Sequence, residues 1–123
     1  MKGRPKESIT VEEYRHLRGL GSPRKYRNVP VMVDGIRFDS KLEARRYAQL
    51  KQLQMHGQVK WFICQVPFRL PGGITYRADF LVVLHDREIA IEDCKGMLTP
   101  VSALKIKQVE EIYGIKVTLI RAS

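Results

Sequence analysis

The chain has 123 residues, which suits one domain with one modest hydrophobic core. Apolar residues make up 44% of the sequence and charged residues 28%, a balance that excludes an intrinsically disordered chain. The longest apolar run, Phe80 to Leu84, is too short to cross a membrane, and no apolar stretch follows the basic start as in a secretion signal. These features predict a cytoplasmic protein with no membrane partner.

The basic excess is the first functional hint. Lys and Arg total 22 against 13 Asp and Glu, so the formal net charge is +9. Residues 1–27 hold eight of the basic residues and only three acids, which divides the chain into a basic arm (1–27) and a domain (28–123). Such an arm suits a polyanion such as nucleic acid, although a basic charge also keeps a protein soluble. The arm's candidate phosphate contacts are Arg4, Lys6, Arg24, Lys25 and Arg27.

The two cysteines, Cys64 and Cys94, exclude two classes of small domain. They are too few for a disulfide framework or a structural zinc site, and no CxxC spacing is present. We expect both thiols to be free, as in a reducing cytoplasm.

Helix and turn signals divide the first half of the chain. Thr10 to Glu13 is a capping box that predicts a short helix in the arm. Asp34-Gly35 between two short β-branched runs predicts a hairpin of 31–33 with 36–38. A second capping box, Ser40 to Glu43, begins a helix that is expected to run to about His56 and to end at Gly57.

The second half predicts a meander, a helix and a final strand. The strands are 59–70, 75–84 and 88–95, and Pro67 marks the first as an edge strand or a bent one. Thr99 and Pro100 begin a helix that ends at Gly114, and 115–120 forms the last strand. This order predicts an α/β fold in which helices cover a mixed sheet, with the last strand parallel to its neighbour.

Glu43 is the first polar residue in an apolar position. On a helical wheel it lies about 20° from the centre of the apolar stripe, whose members are Leu42, Tyr47, Leu50 and Leu53. A carboxylate there needs a partner. Two interpretations stay open: Glu43 folds back as part of the capping box, or it faces a functional pocket.

Asp79 and Asp93 interrupt two otherwise apolar strands. If 85–87 is a three-residue loop, residues whose numbers sum to 172 face each other, and these two aspartates are then opposed at about 5 Å between Cβ atoms. Like charges so placed are destabilising unless a cation lies between them. A turn one residue shorter or longer puts them on opposite faces. Separately, the alternative for Asp79 is a residue at the strand edge that pairs with Arg77 or caps a backbone bend.

Two carboxylates, a nearby Lys95 and Glu43 on the covering helix would form an oxygen-rich pocket. Such a pocket suits Mg²⁺ or Mn²⁺, which bind through one or two carboxylates and keep several waters. Hydrolysis of a phosphodiester by in-line displacement is the matching chemistry, with Lys95 orienting water and stabilising negative charge.

These residues resemble the PD-(D/E)XK nuclease superfamily. Within it, the chain is similar to a small phage- and prophage-encoded branch related in fold to Holliday junction resolvases. The resemblance covers residues 25 to about 121, and position 78, before the first aspartate, is Ala where Pro is common. The matching stretches are 25–28, 33–47, 76–80, 92–96 and the closing helix with Lys105 and Lys107.

The resemblance implies a restriction-endonuclease-like αβββαβ core with an added hairpin and arm. It implies that Asp79, Asp93 and the main-chain carbonyl of Cys94 bind the metal, that Glu43 completes the site, and that Lys95 assists the nucleophile. Glu92 is the alternative to Asp93 for the second acidic position of the motif, but the alternation of side chains along the strand favours Asp93.

We therefore expect a Mg²⁺- or Mn²⁺-dependent DNA endonuclease that acts on branched DNA in phage recombination or replication. A symmetric homodimer fits two cuts in two strands, and no organic cofactor is expected. The alternatives are a nonspecific nickase of the same fold and a non-catalytic DNA-binding recombination accessory. Lys105 is a further candidate for DNA contact, and Gln65 and Gln108 are candidates for supporting roles.

Overall fold

A computed structural model describes residues 29–121 of the chain, a mixed α/β domain with two α-helices and a mixed sheet. The short helix expected in the arm lies outside the described residues. No helix among residues 29–121 is long and apolar enough to cross a membrane. The elements are β1 (Val31–Val33), β2 (Ile36–Phe38), α1 (Lys41–Met55), β3 (Val59–Leu70), a 3₁₀ turn (Pro71–Gly73), β4 (Ile74–Leu84), β5 (Ile89–Cys94), α2 (Pro100–Tyr113) and β6 (Val117–Ile120).

The hairpin of β1 and β2 is confirmed, with Val31 opposite Phe38 and Val33 opposite Ile36. Asp34 and Gly35 have φ values of 53° and 76°, the positive pair that a two-residue type I′ turn requires. Phe38 is 2% exposed, so the hairpin adds a side chain to the core next to α1.

Helix α1 begins where the capping box predicts. The Ser40 hydroxyl accepts a hydrogen bond from the Glu43 N–H at 3.1 Å, and the helix ends before His56 and Gly57. Its inward face carries Ala44, Tyr47 and Leu50, the last fully buried.

The main sheet has the order β3-β4-β5-β6. β3, β4 and β5 are antiparallel neighbours, and β6 is parallel to β5, as expected for a strand that follows a crossover helix. β3 is an edge strand, which agrees with Pro67 in its sequence. The β4–β5 register pairs Phe80 with Glu92 and Val83 with Ile89, so the expected sum of 172 and the three-residue loop are confirmed.

The alternating side chains of β3 and β4 change from one face of the sheet to the other at one position along each strand. In β4, Tyr76 and Ala78 pack in the cluster below α2, whereas Phe80 and Val82 pack in the cluster below α1. Residues spaced by two share a face in a regular strand, so the pleat turns over at Asp79. On β3 the reversal falls at Gln65, which has a φ of 58° and lies between the pairs Cys64–Phe80 and Val66–Ala78.

The reversal gives one hairpin two cores. The first cluster packs α1 against the end of the β3–β4 hairpin that lies away from its turn, around Leu50, Phe80 and Val82. The second joins α2 to the other end, around Tyr76, Val109 and Val117. Asp79 lies where the two clusters meet.

Helix α2 and strand β6 close the domain. Thr99 caps α2 through the Ser102 N–H at 3.1 Å, and Gly114 ends it in the left-handed conformation. β6 begins at Val117 and not at Ile115, because residues 115 and 116 are used to return from the helix end to the sheet. Similarly, β5 ends at Cys94, although the Lys95 N–H still donates to the Ile120 carbonyl at 3.0 Å.

Candidate active site

A cleft of about 950 Å³ opens beside the N-terminal end of α1, where the β3–β4 hairpin reverses its faces. It is lined by charged residues of both signs from β2, α1, β4 and the end of β5. The acids are Asp39, Glu43, Asp79 and Asp93, and the bases are Arg37, Arg77 and Lys95.

Asp79 is held in the cleft by the main chain of the next strand. Its Oδ2 accepts a hydrogen bond from the Cys94 N–H at 2.7 Å. Within the described residues no ion pair joins it to Arg77, so the alternative of a local Asp–Arg pair is not realised. The paired register of β4 and β5 ends at Phe80–Glu92, and Asp79 and Asp93 are the next residues on the two strands, with Asp93 close enough to act on the pKa of Asp79.

Asp93 is only 3% exposed and is bound by two side chains. The Tyr76 hydroxyl donates to its Oδ2 at 2.5 Å, and the Lys95 ammonium lies 3.3 Å from the same oxygen. The two residues predicted as acid and catalytic amine are therefore in direct contact.

Glu43 takes part in both of the arrangements that the sequence left open. Its N–H is capped by Ser40, and the Ser40 hydroxyl also lies 3.3 Å from its Oε1. The residue is nevertheless only 7% exposed and lines the cleft, where the Gln65 amide lies 3.5 Å from Glu43 Oε2 and 3.5 Å from Asp79 Oδ1. Gln65 thus bridges the helix acid and the strand acid, which supports its predicted place at the site.

Burial and neighbouring acids raise the pKa of Asp79 and that of Glu43. Burial and the neighbouring Asp93 raise the pKa of Asp79 from near 3.8 to about 8, against the opposing effect of the Cys94 N–H. Burial is also the main reason that the pKa of Glu43 is raised. The pKa of the Cys94 thiol rises to about 12 through burial and the acids around it, so this cysteine is not a thiolate nucleophile at neutral pH.

Glu92, the alternative to Asp93 as the second acid of the site, forms an ion pair with another residue instead. Its carboxylate accepts two hydrogen bonds from the Arg46 guanidinium on α1, at 2.8 and 2.7 Å. The hydrogen bonds that Arg46 donates to Glu92 are the main reason that the pKa of Arg46 is raised. Glu92 therefore lies on the face of β5 opposite to that of Asp93, as the alternation along the strand predicts.

Two residues predicted to contact DNA or to support the site lie outside the cleft. Lys105 and Gln108 lie on α2, and neither is among the described residues that line it. The arm residues Arg4, Lys6, Arg24, Lys25 and Arg27 lie outside the described part of the chain.

Sequence reasoning missed four residues at or near the site: Arg37, Arg77, Tyr76 and Arg46. Arg77 shares strand parity with Asp79, which is a signal that was present in the sequence. Arg37 follows the hairpin turn and pairs with Asp39 at 3.1 Å. The partners of Tyr76 and Arg46 lie 17 and 46 residues away, and no local pattern marks them.

Comparison with known families gives one match. Residues 23–123 match the model of a family described as a protein of unknown function, DUF1064. The chain belongs to this family. No curated protein and no solved structure matches it. The match begins shortly before the described residues of this DUF1064 domain and includes all of the cleft.

Proposed function

We propose that this protein is a divalent-metal-dependent DNA endonuclease of the PD-(D/E)XK superfamily, with a restriction-endonuclease-like αβββαβ core. The observation that carries the proposal is the convergence of Glu43, Asp79, Asp93 and Lys95 in one cleft, from three separate elements. Binding of DNA alone does not need buried acids that face a phosphate backbone, so the arrangement favours an enzyme over an accessory protein.

The donor set fits Mg²⁺ or Mn²⁺. Burial, and after it the neighbouring Asp93, raise the pKa of Asp79 to about 8, and a cation bound between the two carboxylates would relieve this cost of ionisation. Residues 29–121 hold no preassembled group of three or more His, Cys, Asp and Glu side chains at metal-ligand spacing. Mg²⁺ needs only one or two carboxylates, so Asp79 and Asp93 would hold it, with Glu43 and the Cys94 carbonyl beside them.

When bound, the ion supplies charge neutralisation at the phosphodiester and lowers the pKa of water. The protein's own groups do the remaining work. The Lys95 ammonium, kept beside Asp93, orients the attacking water and offsets negative charge that develops on the phosphate. Arg37 and Arg77 line the same cleft and are suited to neighbouring phosphates of the DNA backbone.

We further propose a branched-DNA substrate, a role in phage recombination or replication, a homodimer and a cytoplasmic location. The basic excess of the whole chain and the arm of residues 1–27 support a nucleic-acid partner. A cleavage panel of four-way junction, flap, single-stranded and linear duplex DNA of matched sequence separates this substrate class from that of a nonspecific nickase.

Nicking of supercoiled plasmid tests the enzyme. We expect cutting with Mg²⁺ and none with EDTA. Asp93→Asn and Lys95→Ala should each lower the rate on the order of 10²-fold or more. Glu88→Gln is the matched control, because this exposed carboxylate lies in the turn that joins the same two strands.

Glu43→Gln separates the cap from the catalytic role. The variant keeps the Ser40 cap to the main-chain N–H, so we expect a stable protein with reduced cutting. Cutting that survives EDTA or Asp93→Asn would contradict the assignment, and DNA binding without any cutting would favour the accessory protein.

A further inference from the structure

The buried side chain of Tyr76 has one polar group, its hydroxyl, and this hydroxyl contacts an acid that lines the cleft. The residue is 4% exposed, and its ring packs against Phe68 with 6.3 Å between centroids. Its hydroxyl donates a 2.5 Å hydrogen bond to Asp93 Oδ2. A buried tyrosine hydroxyl requires a partner, but a neutral acceptor would satisfy it at a lower electrostatic cost than an aspartate opposite another acid.

The same Asp93 oxygen also receives Lys95, whose ammonium lies 3.3 Å away. The terminal torsion of an aspartate is broad and nearly two-fold, so one flexible lysine does not fix the carboxylate plane. Tyr76 is different, because its ring is enclosed in the α2 cluster and its hydroxyl has a fixed position. Asp79 has an equally rigid donor in the Cys94 N–H.

We propose that Tyr76 is a positioning residue of the cleft. Its hydroxyl fixes the Asp93 carboxylate in the orientation that binds the divalent cation, and keeps the Asp93 oxygen that Lys95 contacts in place. This inference rests on the proposed function. It makes Tyr76 an outer partner of a metal-binding carboxylate, a kind of residue whose loss typically lowers metal affinity about 10- to 100-fold.

Tyr76→Phe in the full-length protein tests the proposal, since it removes the hydroxyl and keeps the ring. Tyr47→Phe is the matched control. Tyr47 is 6% exposed, and its hydroxyl donates at 3.0 Å to Asp34, which does not line the cleft. Each protein is titrated with Mn²⁺ alone by calorimetry, its thermal midpoint is measured in EDTA, and its plasmid nicking is resolved into kcat and KM.

We expect Tyr76→Phe to raise the Mn²⁺ dissociation constant about 10-fold or more and to lower kcat, with KM for DNA unchanged. Tyr47→Phe should match the wild type in Mn²⁺ affinity, although each variant loses one hydrogen bond from a tyrosine hydroxyl to an aspartate. Equal Mn²⁺ affinity in wild type and Tyr76→Phe, with only a lower thermal midpoint, would overturn the proposal and leave Tyr76 as a structural residue.

Lys95→Met provides a second test that leaves Tyr76 intact. We expect it to bind Mn²⁺ at least as tightly as the wild type, because Tyr76 still holds Asp93 and a neighbouring positive charge is removed. Loss of Mn²⁺ binding in Lys95→Met would overturn the role of Tyr76. A wild-type protein that neither binds Mn²⁺ nor cuts DNA would overturn the proposed function as well.

Discussion

At the residue scale, the two aspartates of the cleft are chemically alike but differ in their partners. Asp93 has two charged or hydroxyl side-chain donors, Lys95 and Tyr76. Asp79 is held mainly by a main-chain donor, the Cys94 N–H, with the Gln65 amide at 3.5 Å. Asp79 is also the residue at which the hairpin reverses its faces, so its carboxyl group meets Glu43 from α1 as well as Asp93. Burial and these neighbours explain why its pKa rises to about 8.

This shift predicts how stability varies with pH in the metal-free protein. Asp79 keeps its proton up to about pH 8 when folded but releases it near pH 3.8 when unfolded. Its contribution to stability is therefore complete below the lower value and is lost as pH rises through the higher one. In EDTA, the wild type should lose stability relative to Asp79→Asn between about pH 4 and 8, and Mg²⁺ should reduce this loss.

Urea unfolding at a series of pH values measures the effect. Asp86→Asn is the control, because Asp86 is an exposed acid in the β4–β5 turn. If the difference in unfolding free energy between the wild type and Asp79→Asn does not vary with pH, the prediction is contradicted.

At the element scale, one ion pair fixes α1 against β5. Arg46 binds both carboxylate oxygens of Glu92, which is 5% exposed. Glu43 lies three residues before Arg46 on the helix, and Asp93 directly follows Glu92 on the strand. The pair therefore holds the helix that carries Glu43 against the strand that carries Asp93.

We expect Arg46→Met to lower the free energy of unfolding by about 3 kcal/mol, because it leaves the buried Glu92 carboxylate without its partner. The double variant Arg46→Met with Glu92→Leu should recover most of this loss, since an apolar pair needs no compensating charge. Urea denaturation of the two variants gives the comparison. A double variant no more stable than the single one would show that Glu92 is not stabilised mainly by Arg46.

At the scale of the whole molecule, two apolar clusters share one hairpin. Leu50 belongs to the cluster below α1 and Val109 to the cluster below α2, and both are fully buried. Because β3 and β4 contribute to each, neither cluster keeps its full set of contacts when the other unfolds. The domain should therefore unfold in one cooperative transition.

Substitutions on both sides test this cooperativity. Leu50→Ala should cost about 2–5 kcal/mol, and Val109→Ala about 2 kcal/mol. Trp61, the single tryptophan of the chain, lies on the shared strand β3 and reports on it by fluorescence. In each variant the fluorescence and far-UV circular dichroism midpoints should coincide, and two separate transitions in either variant would contradict a shared core.

The amino-acid sequence by itself determined the elements and much of the site. Capping residues, the Asp34-Gly35 turn and the alternation of apolar residues are signals within a few neighbouring positions, so helix starts and strand limits follow from them. The length of the β4–β5 loop was enough to predict the register of residues 80–83 with 89–92, which brings Asp79 and Asp93 to neighbouring positions, because a loop length fixes the register of a hairpin. The helical period likewise put Glu43 on the inward face.

Only the tertiary structure decided how these residues meet. Nothing near Gln65 marks the positive φ that reverses the hairpin, and this reversal brings the α1 and α2 faces together at Asp79. The contacts of Tyr76 with Asp93 and of Arg46 with Glu92 join residues far apart in the chain. Such pairs depend on the relative placement of whole elements, which packing fixes and local propensity does not encode.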